Sequence, residues 1–245
     1  MSGPESLDPS GRVVMISGAA RGIGRAIALD LYAKGYSLSL GVRSPNEAKR
    51  RFPESDPAHV LFHPFDAMRP ETAPSWVDAT MACYGRIDAL INNAGIWRAL
   101  DFNTEDESAL DEVWAVNVKA PFRLIRCALP YLRLSGHGRI INIGSTDGKR
   151  YRDASVSIAY AMSKHAMMAL THAARFAGWD DGIRVTALCP GGVETELLAG
   201  IPGVVSSGNR LSPETIATIA ALLLSLPNTA SIAELVVNTR LEPTL

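Results

Sequence analysis

Residues 12–34 read Arg12-Val-Val-Met-Ile-Ser-Gly-Ala-Ala-Arg-Gly-Ile-Gly-Arg-Ala-Ile-Ala-Leu-Asp-Leu-Tyr-Ala-Lys34, and this stretch decides the fold class. Its first six residues form a short apolar run without alternation, which is typical of a strand buried in a parallel sheet. Glycines follow at positions 18, 22 and 24. Residues 25–34 then have the spacing of an amphipathic helix, which Gly35 is placed to end. The predicted order is therefore strand, glycine turn, helix.

The glycine turn is predicted to hold a pyrophosphate. Glycines let backbone N–H groups approach the phosphates, and the start of the following helix offers partial positive charge. The spacing is Gly-x-x-x-Gly-x-Gly, whereas the commoner dinucleotide fingerprint is Gly-x-Gly-x-x-Gly. The alternative is a glycine-rich turn without a ligand, but the strand before it and the helix after it favour a dinucleotide site.

Strand-like and helix-like segments alternate along the rest of the chain. We predict strands at 36–42, 59–65, 87–92, 139–144, 183–188 and 232–237, and helices at 71–84, 105–116, 120–134, 157–178 and 213–226. Such alternation is typical of a parallel sheet with helices on both faces. The predicted fold class is α/β, a Rossmann-type doubly wound parallel sheet in three layers. We expect a flexible tail at 1–10 and a single domain at 11–245.

The composition argues against several classes of protein. Of 245 residues, 47% are apolar, which is enough for one large core, and the net charge of −1 does not favour a nucleic-acid partner. The chain contains no run of 18 apolar residues, so no membrane-spanning helix is predicted. Residues 1–10 lack the basic and apolar regions of a signal peptide. The three cysteines are odd in number and widely spaced, which favours reduced thiols in a cytoplasmic protein, and no spacing predicts a metal site.

Tyr160 and Lys164 are four residues apart on the predicted helix 157–178, so their side chains lie on one face. A phenol with its ordinary pKa of about 10 is a poor acid at neutral pH. A neighbouring ammonium is expected to lower that pKa and to make the pair a general acid/base for carbonyl and alcohol chemistry. The Tyr-x-x-x-Lys pattern also occurs by chance on exposed helices, so alone it is weak evidence. The glycine turn upstream makes a catalytic pair the better interpretation.

Together these motifs resemble the classical short-chain dehydrogenase/reductase family over roughly residues 11–240. The glycine turn at 17–24 has the family's own spacing, Asn92-Asn93-Ala94-Gly95 is similar to the family segment after the fourth strand, and Pro190-Gly-Gly-Val-Glu-Thr195 is similar to the segment around the nicotinamide. Four positions match the catalytic set: Asn117, Ser145, Tyr160 and Lys164. The expected cofactor-binding residues are Gly18, Arg21, Gly22, Ile23, Gly24, Arg43, Asp66, Asn93, Ala94, Gly95, Tyr160, Lys164, Pro190, Gly191, Val193 and Thr195.

The resemblance implies reversible hydride transfer between a nicotinamide and a carbonyl or alcohol carbon. Tyr160 would then exchange a proton with the substrate oxygen, and Ser145 would hydrogen-bond the same oxygen. Lys164 would bind the nicotinamide ribose and lower the pKa of Tyr160. Asn117 would hold a water that connects Lys164 to solvent.

The end of the second predicted strand bears on the choice between NADP(H) and NAD(H). An acidic residue there would bind the ribose 2′-hydroxyl of NAD, but the stretch 39–44 contains no Asp or Glu. Arg43 stands next to that position and Arg21 lies in the glycine turn, so we favour NADP(H). The alternatives are a solvated loop residue at 43 and a helix-start residue at 21. Asp66 would accept from the adenine amino group by resemblance, or else cap the next helix.

Three functions stay open on the sequence. The first is an NADP(H)-dependent carbonyl reductase, including the 3-oxoacyl type. The second is an NAD-dependent alcohol dehydrogenase of the same fold. The third is a dinucleotide-binding sensor without turnover, although such a protein would have little need for all four catalytic positions.

Several segments bear on substrate and assembly. The basic cluster at 149–152 would attract an anionic substrate or form a solvated loop, and Trp97 and Arg98 would border the cleft or lie in a surface loop. The segment 199–209 has the composition of a mobile lid. By resemblance we expect a homo-oligomer, either a tetramer or a dimer, assembled through the long helices and the last strand.

Overall fold

The computed structural model describes residues 6–201 and 210–239, and it contains one parallel sheet of seven strands. The strands are β1 (Val13–Ser17), β2 (Ser37–Val42), β3 (Val60–Pro64), β4 (Ala89–Asn92), β5 (Arg139–Ile143), β6 (Arg184–Pro190) and β7 (Glu234–Val237). Their order in the sheet is β3-β2-β1-β4-β5-β6-β7. The strand order therefore reverses between β1 and β4, and a crevice forms there at the carboxyl ends of the strands.

Helices cover both faces of the sheet. They are α1 (Gly22–Ala33), α2 (Pro45–Arg50), α3 (Thr72–Tyr84), α4 (Ser108–Trp114), α5 (Ala120–Leu134), α6 (Ile158–Gly178), α7 (Glu196–Ala199) and α8 (Pro213–Ser225). A π-helical turn, Ala115–Lys119, joins α4 to α5, and a 3₁₀ turn, Thr146–Gly148, follows β5. In the part of the chain that the structure describes, no helix has the length and apolar character to cross a membrane.

Alternate residues of β1 pack into the two layers of core, because successive side chains of a strand point to opposite faces of the sheet. Val14 and Ile16 belong to the cluster that includes Ile27 of α1 and Ile216 of α8. Met15 belongs to the other cluster, which takes in residues of α3, α5 and α6. The three-layer doubly wound fold predicted from the sequence is confirmed.

The predicted elements agree with the observed ones apart from a few differences. The helices predicted at 105–116 and 120–134 are joined without a break, since the turn Ala115–Lys119 continues the helical path with π-type hydrogen bonds. The first of them begins at Ser108 rather than at residue 105. Three short elements were not predicted: α2, α7 and the 3₁₀ turn at 146–148. Each is too short to show a helical periodicity. Of the predicted lid, residues 202–209 lie outside the described residues, as do residues 1–5 of the tail.

Candidate active site

The glycine turn lies against the segment that follows β4. Gly18 and Gly22 have positive φ angles of 68° and 53°, a conformation that favours glycine. A Cβ atom on Gly18 would lie 2.9 Å from Ala94 Cα. Asn93 Nδ2 donates to the carbonyl oxygens of Ser17 and Gly18, at 3.0 and 3.1 Å. Ser17 Oγ in turn accepts from the backbone N–H groups of Asn93 and Ala94, both at 3.0 Å.

A cavity of about 1230 Å³ opens above this contact. It is lined by all but two of the predicted site residues: Gly18, Arg21, Gly22, Ile23, Arg43, Asp66, Asn93, Ala94, Gly95, Ser145, Tyr160, Lys164, Pro190, Gly191, Val193 and Thr195. Gly24 and Asn117 do not line it. Gly24 packs behind the turn, where an added Cβ would overlap the Asn93 side-chain amide. The structure thus brings residues from across the sequence to one crevice.

Tyr160 and Lys164 meet on α6. Ser157 caps this helix by accepting from Tyr160 N–H, and its hydroxyl donates to the Arg98 carbonyl at 2.6 Å. Only 6% of Lys164 is exposed, and its Nζ donates to the Ile143 carbonyl at 2.8 Å. The same Nζ lies 5.5 Å from the centre of the Tyr160 ring. The prediction that both side chains share one face of the helix is confirmed.

Ser145 lies beside Tyr160 at the end of β5. Its extended backbone caps the 3₁₀ turn, and its Oγ accepts from Asp147 N–H at 3.1 Å. The Ser145 side chain also hydrogen-bonds the Tyr160 hydroxyl, which on its own lowers the pKa of that phenol. Ser145 and Tyr160 therefore converge on one point of the cavity where a substrate oxygen could accept from both.

Burial dominates the ionisation of the pair. Desolvation raises the pKa of Tyr160, and the negative charge of Asp147 raises it further, against the smaller effect of the Ser145 hydrogen bond. Desolvation also lowers the pKa of Lys164 to about 8, although Cys189 and Asp147 oppose this shift. The expected lowering of the Tyr160 pKa by Lys164 is not met in this structure, because burial, the largest effect on the phenol, raises its pKa. The phenol therefore keeps its proton at neutral pH.

Comparison with known proteins points to one family. A family model described as short chain dehydrogenase matches residues 12–202. The chain belongs to the short-chain dehydrogenase family.

Relatives of this short-chain dehydrogenase include several reductases. The chain is 39% identical over 220 residues to an agropine synthesis reductase of Rhizobium rhizogenes, covering 89% of this chain and 50% of that protein. The chain thus spans half the length of that relative. It is 30% identical over 203 residues to an acetoacetyl-CoA reductase of Rhizobium meliloti (strain 1021), covering 83% and 82% of the two chains. The crystal structure of a 3-ketoacyl-(acyl-carrier-protein) reductase from Brucella melitensis, complexed with NADH, superposes with a TM-score of 0.85 at 26% identity, covering 94% and 98% of the two chains.

The cavity of this short-chain dehydrogenase fits a dinucleotide. Its volume exceeds the range of about 300–1,000 Å³ that is usual for small-molecule sites, so there is room for a cofactor and a second molecule. A Cβ on Gly22 would come within 3.3 Å of Thr195 Cγ2. Side chains on the glycine turn would therefore narrow the space between this turn and the segment 190–195. Residues from both walls would hold the cofactor: the glycine turn on one side and the segment 190–195 on the other.

Asn117 supports the site from behind the cavity wall. It lies in the π-helical turn, a feature that is frequent near functional sites, and only 1% of it is exposed. Its side-chain Oδ1 accepts from Ile96 N–H at 2.9 Å, and its Nδ2 donates to the Ile96 carbonyl at 2.9 Å and to Ser163 Oγ at 3.0 Å. The amide therefore ties the segment after β4 to α6. Its predicted part in holding a water for Lys164 stays a prediction.

The opposite end of the cavity carries the residues expected at the adenosine. Asp66 Oδ1 accepts from Met68 N–H at 3.0 Å, and α3 begins only at Thr72, so this carboxylate does not cap the next helix. Arg21 and Arg43 are exposed on the rim. The short helix α2 brings a third arginine, Arg51, to the same end, which the sequence analysis missed. Ser44-Pro45 followed by Glu47 is a helix-start pattern that could have revealed α2.

The substrate end has charged walls. Trp97 and Arg98 both line the cavity, and Arg98 forms a bidentate pair with Glu112, with both distances at 2.7 Å. Within the basic cluster at 149–152, Arg152 lines the cavity and pairs with Asp153 at 2.9 Å. Lys149 instead pairs with Glu234 of β7.

The cysteines and histidines form no further centre in the described part of the chain. Cys83, Cys127 and Cys189 are free thiols, and only Cys189 is buried. Residues 6–201 and 210–239 contain no cluster of three or more His, Cys, Asp or Glu side chains that could hold a metal ion.

The lowered pKa of Lys164 predicts a pH-dependent stability difference. Between pH of about 8 and the ordinary lysine pKa near 10.4, the unfolded chain binds more protons at this position than the folded one, so folding stability rises with pH through that window. Lys164→Met removes the titration. We expect the free energy of unfolding of the original chain, relative to the variant, to increase between pH 7.5 and pH 10. Urea unfolding of both proteins in matched buffers measures it, and a difference that does not change with pH would contradict the prediction.

Proposed function

We propose that the chain is an NADP(H)-dependent reductase of carbonyl compounds that also runs in reverse on the corresponding alcohols. One observation carries the proposal: Ser145, Tyr160 and Lys164 line the same cavity as the glycine turn. A proton donor and a dinucleotide cradle therefore share one space. A sensor without turnover would have no use for such a convergence.

The bound nicotinamide supplies the hydride, and the chain supplies orientation and the proton. Tyr160, whose phenol is protonated at neutral pH, would donate its proton to the substrate oxygen. Ser145 donates a hydrogen bond to the same oxygen, where negative charge develops during reduction. Lys164, fixed by the Ile143 carbonyl, holds the cofactor beside the phenol.

Charge at the end of β2 supports NADP(H) as the cofactor. Arg43 follows the last residue of β2, and Arg21 lies across the rim of the cavity. Guanidinium groups bind phosphate through charge-assisted hydrogen bonds. The structural neighbour complexed with NADH favours the second candidate, an NAD-dependent dehydrogenase of the same fold. We give this similarity, at 26% identity, less weight than the two arginines. Arg43 stands next to the position where an acidic residue would bind the ribose of NAD, and Arg21 lies in the glycine turn.

The names of the relatives support a substrate with a carbonyl group. An acetoacetyl-CoA reductase and a 3-ketoacyl-(acyl-carrier-protein) reductase both reduce 3-oxoacyl thioesters, as their names state. We therefore place 3-oxoacyl esters among the first compounds to test, together with simple ketones and aldehydes. A cytoplasmic location, expected from the reduced thiols, stays a prediction.

Removing the phenolic hydroxyl tests the mechanism. We expect Tyr160→Phe to lower kcat by about 100-fold or more, because general acid catalysis contributes roughly that much. The dissociation constant for NADPH should stay within about twofold, since the ring remains in place. Loss of NADPH absorbance with the best carbonyl compound of the panel gives kcat, and fluorescence titration gives the dissociation constant. Tyr84→Phe is the matched control, because the Tyr84 hydroxyl donates to the Leu38 carbonyl away from the cavity. Unchanged turnover in Tyr160→Phe would refute the assigned role.

Cofactor preference tests the NADP(H) assignment. We expect kcat/KM to be about 10- to 100-fold higher with NADPH than with NADH, because hydrogen bonds to a charged phosphate contribute about 1.5–3 kcal/mol. Arg43→Met should reduce that ratio by lowering kcat/KM for NADPH while leaving the value for NADH nearly the same. A preference of the original chain for NADH would favour the NAD-dependent candidate instead.

We also propose that the chain forms a homo-oligomer through α5 and α6. Both helices carry large exposed apolar side chains: Phe122 is 49% exposed, Met162 46% and Phe176 85%. Apolar groups in such number on neighbouring helices are typical of an association surface. A second copy of the chain is the partner that the family resemblance implies.

A charge on this surface should disrupt the assembly. We expect the original chain to sediment as a dimer or tetramer and Phe176→Glu to sediment at a lower mass, since burying an unpaired carboxylate in an interface is costly. Phe102→Glu is the control, because Phe102 is 95% exposed in the loop before α4. Sedimentation velocity measures all three proteins, and a monomeric original chain would disprove the proposal.

A further inference from the structure

Arg51 lies on the rim of the cavity although it is 31 residues from Ala20 of the glycine turn in sequence. It caps the carboxyl end of α2, and its Nη1 donates to the Ala20 carbonyl inside the turn at 3.2 Å. Its side chain lines the same end of the cavity as Arg21 and Arg43. Three guanidinium groups from three separate segments therefore surround the place where the adenosine end of a dinucleotide would lie.

We propose that Arg51 is a further specificity-determining residue, which binds the 2′-phosphate of NADP(H) together with Arg21 and Arg43. The inference rests on the proposed function, because it takes NADP(H) as the cofactor. It adds a contact from α2, an element that lies outside both the glycine turn and the end of β2.

The charge balance at this end of the cavity favours an anion. Two carboxylates, Glu47 and Asp66, line it beside the three arginines. In the described part of the chain, none of the three guanidinium groups forms an ion pair with a carboxylate. The cations therefore remain available to a ligand, and a phosphate monoester with a charge of about −1.5 to −2 at neutral pH is the anion that suits them.

Helix geometry selects Arg51 from a run of basic residues. Lys49, Arg50 and Arg51 are consecutive, yet only Arg51 lines the cavity. Ala48 is almost fully buried against the core and lines the cavity as well. Residues three apart on a helix lie on the same side, so burial of Ala48 directs Arg51 to the cavity and sends its two neighbours elsewhere.

Contacts within the protein hold Arg51 in place before any ligand binds. The bond from Nη1 to the Ala20 carbonyl fixes one end of the guanidinium, and Arg25 Nη2 braces the backbone by donating to the Arg51 carbonyl at 3.2 Å. Phe52, the next residue, is buried in the core. A side chain ordered in advance loses less entropy on binding, which makes it a stronger ligand contact.

Binding of two nucleotides tests the inference without any need for a known substrate. Adenosine 2′,5′-bisphosphate and 5′-AMP differ only by the 2′-phosphate. Isothermal titration of the full chain at an ionic strength of about 0.15 M keeps long-range effects of surface charge small. We expect Arg51→Met to raise the dissociation constant of the bisphosphate by about 10-fold or more. The dissociation constant of 5′-AMP should change by less than about twofold.

Two control variants separate contact from charge and from folding. Arg50→Met removes an equal charge from the neighbouring residue, which does not line the cavity. Both dissociation constants should then stay within about twofold of those of the original chain. Arg51→Lys keeps the charge but loses the planar fork, so it should bind the bisphosphate more weakly than the original chain and more tightly than Arg51→Met.

The possible outcomes distinguish this inference from the proposed function. If the original chain favours the bisphosphate and Arg43→Met loses that preference while Arg51→Met keeps it, the inference is wrong and NADP(H) stands. If Arg51→Met weakens the binding of both nucleotides equally, Arg51 only supports the glycine turn, and the inference is wrong as well. A preference of the original chain for 5′-AMP would remove the NADP(H) assignment and the inference with it.

Discussion

The close contact between the glycine turn and the segment after β4 is the constraint on which the site depends. Asn93 holds the carbonyls of Ser17 and Gly18, and an added Cβ at Gly18 or Gly24 would collide with this segment. The contact joins β1 to β4 at the point where the strand order reverses. Because it fixes the floor of the cavity, the residues proposed to hold a dinucleotide and the residues proposed to act on a substrate are positioned relative to one another by the sheet itself.

The burial that orders the Tyr160 and Lys164 side chains also controls their protonation. Lys164 is held by the carbonyl of Ile143, two residues before Ser145, so the amine and the hydroxyl are both positioned by the end of β5. Removing these groups from water disfavours their charged forms. Tyr160 therefore keeps its proton and Lys164 binds its proton less tightly. The raised pKa also makes the Tyr160 phenol a weaker acid than a free tyrosine.

Much of the fold and most of the candidate site could be predicted because both follow local rules. Buried parallel strands are apolar runs, and the residues at or just after their carboxyl ends meet at one edge of the sheet, as Asn93, Ser145 and Pro190 do. What could not be predicted depends on tertiary contacts. The six residues of α2 are too few to show a periodicity, so Arg51 could not be assigned to the cavity. The direction of the Tyr160 pKa depends on burial, whereas the spacing of Tyr160 and Lys164 shows only that they are neighbours.

Basic residues that are adjacent in sequence are separated by their pairing in the fold. In the cluster at 149–152, Lys149 is bound to Glu234 of β7, whose carboxylate also accepts from His172 Nε2 of α6 at 2.8 Å. That pairing anchors the turn after Ser145 to the last strand and leaves Arg152 as the member that lines the cavity. The run Lys49-Arg50-Arg51 is divided in the same way, by burial of one helix face. Each run therefore contributes a single basic side chain to its end of the cavity, and only packing decides which one.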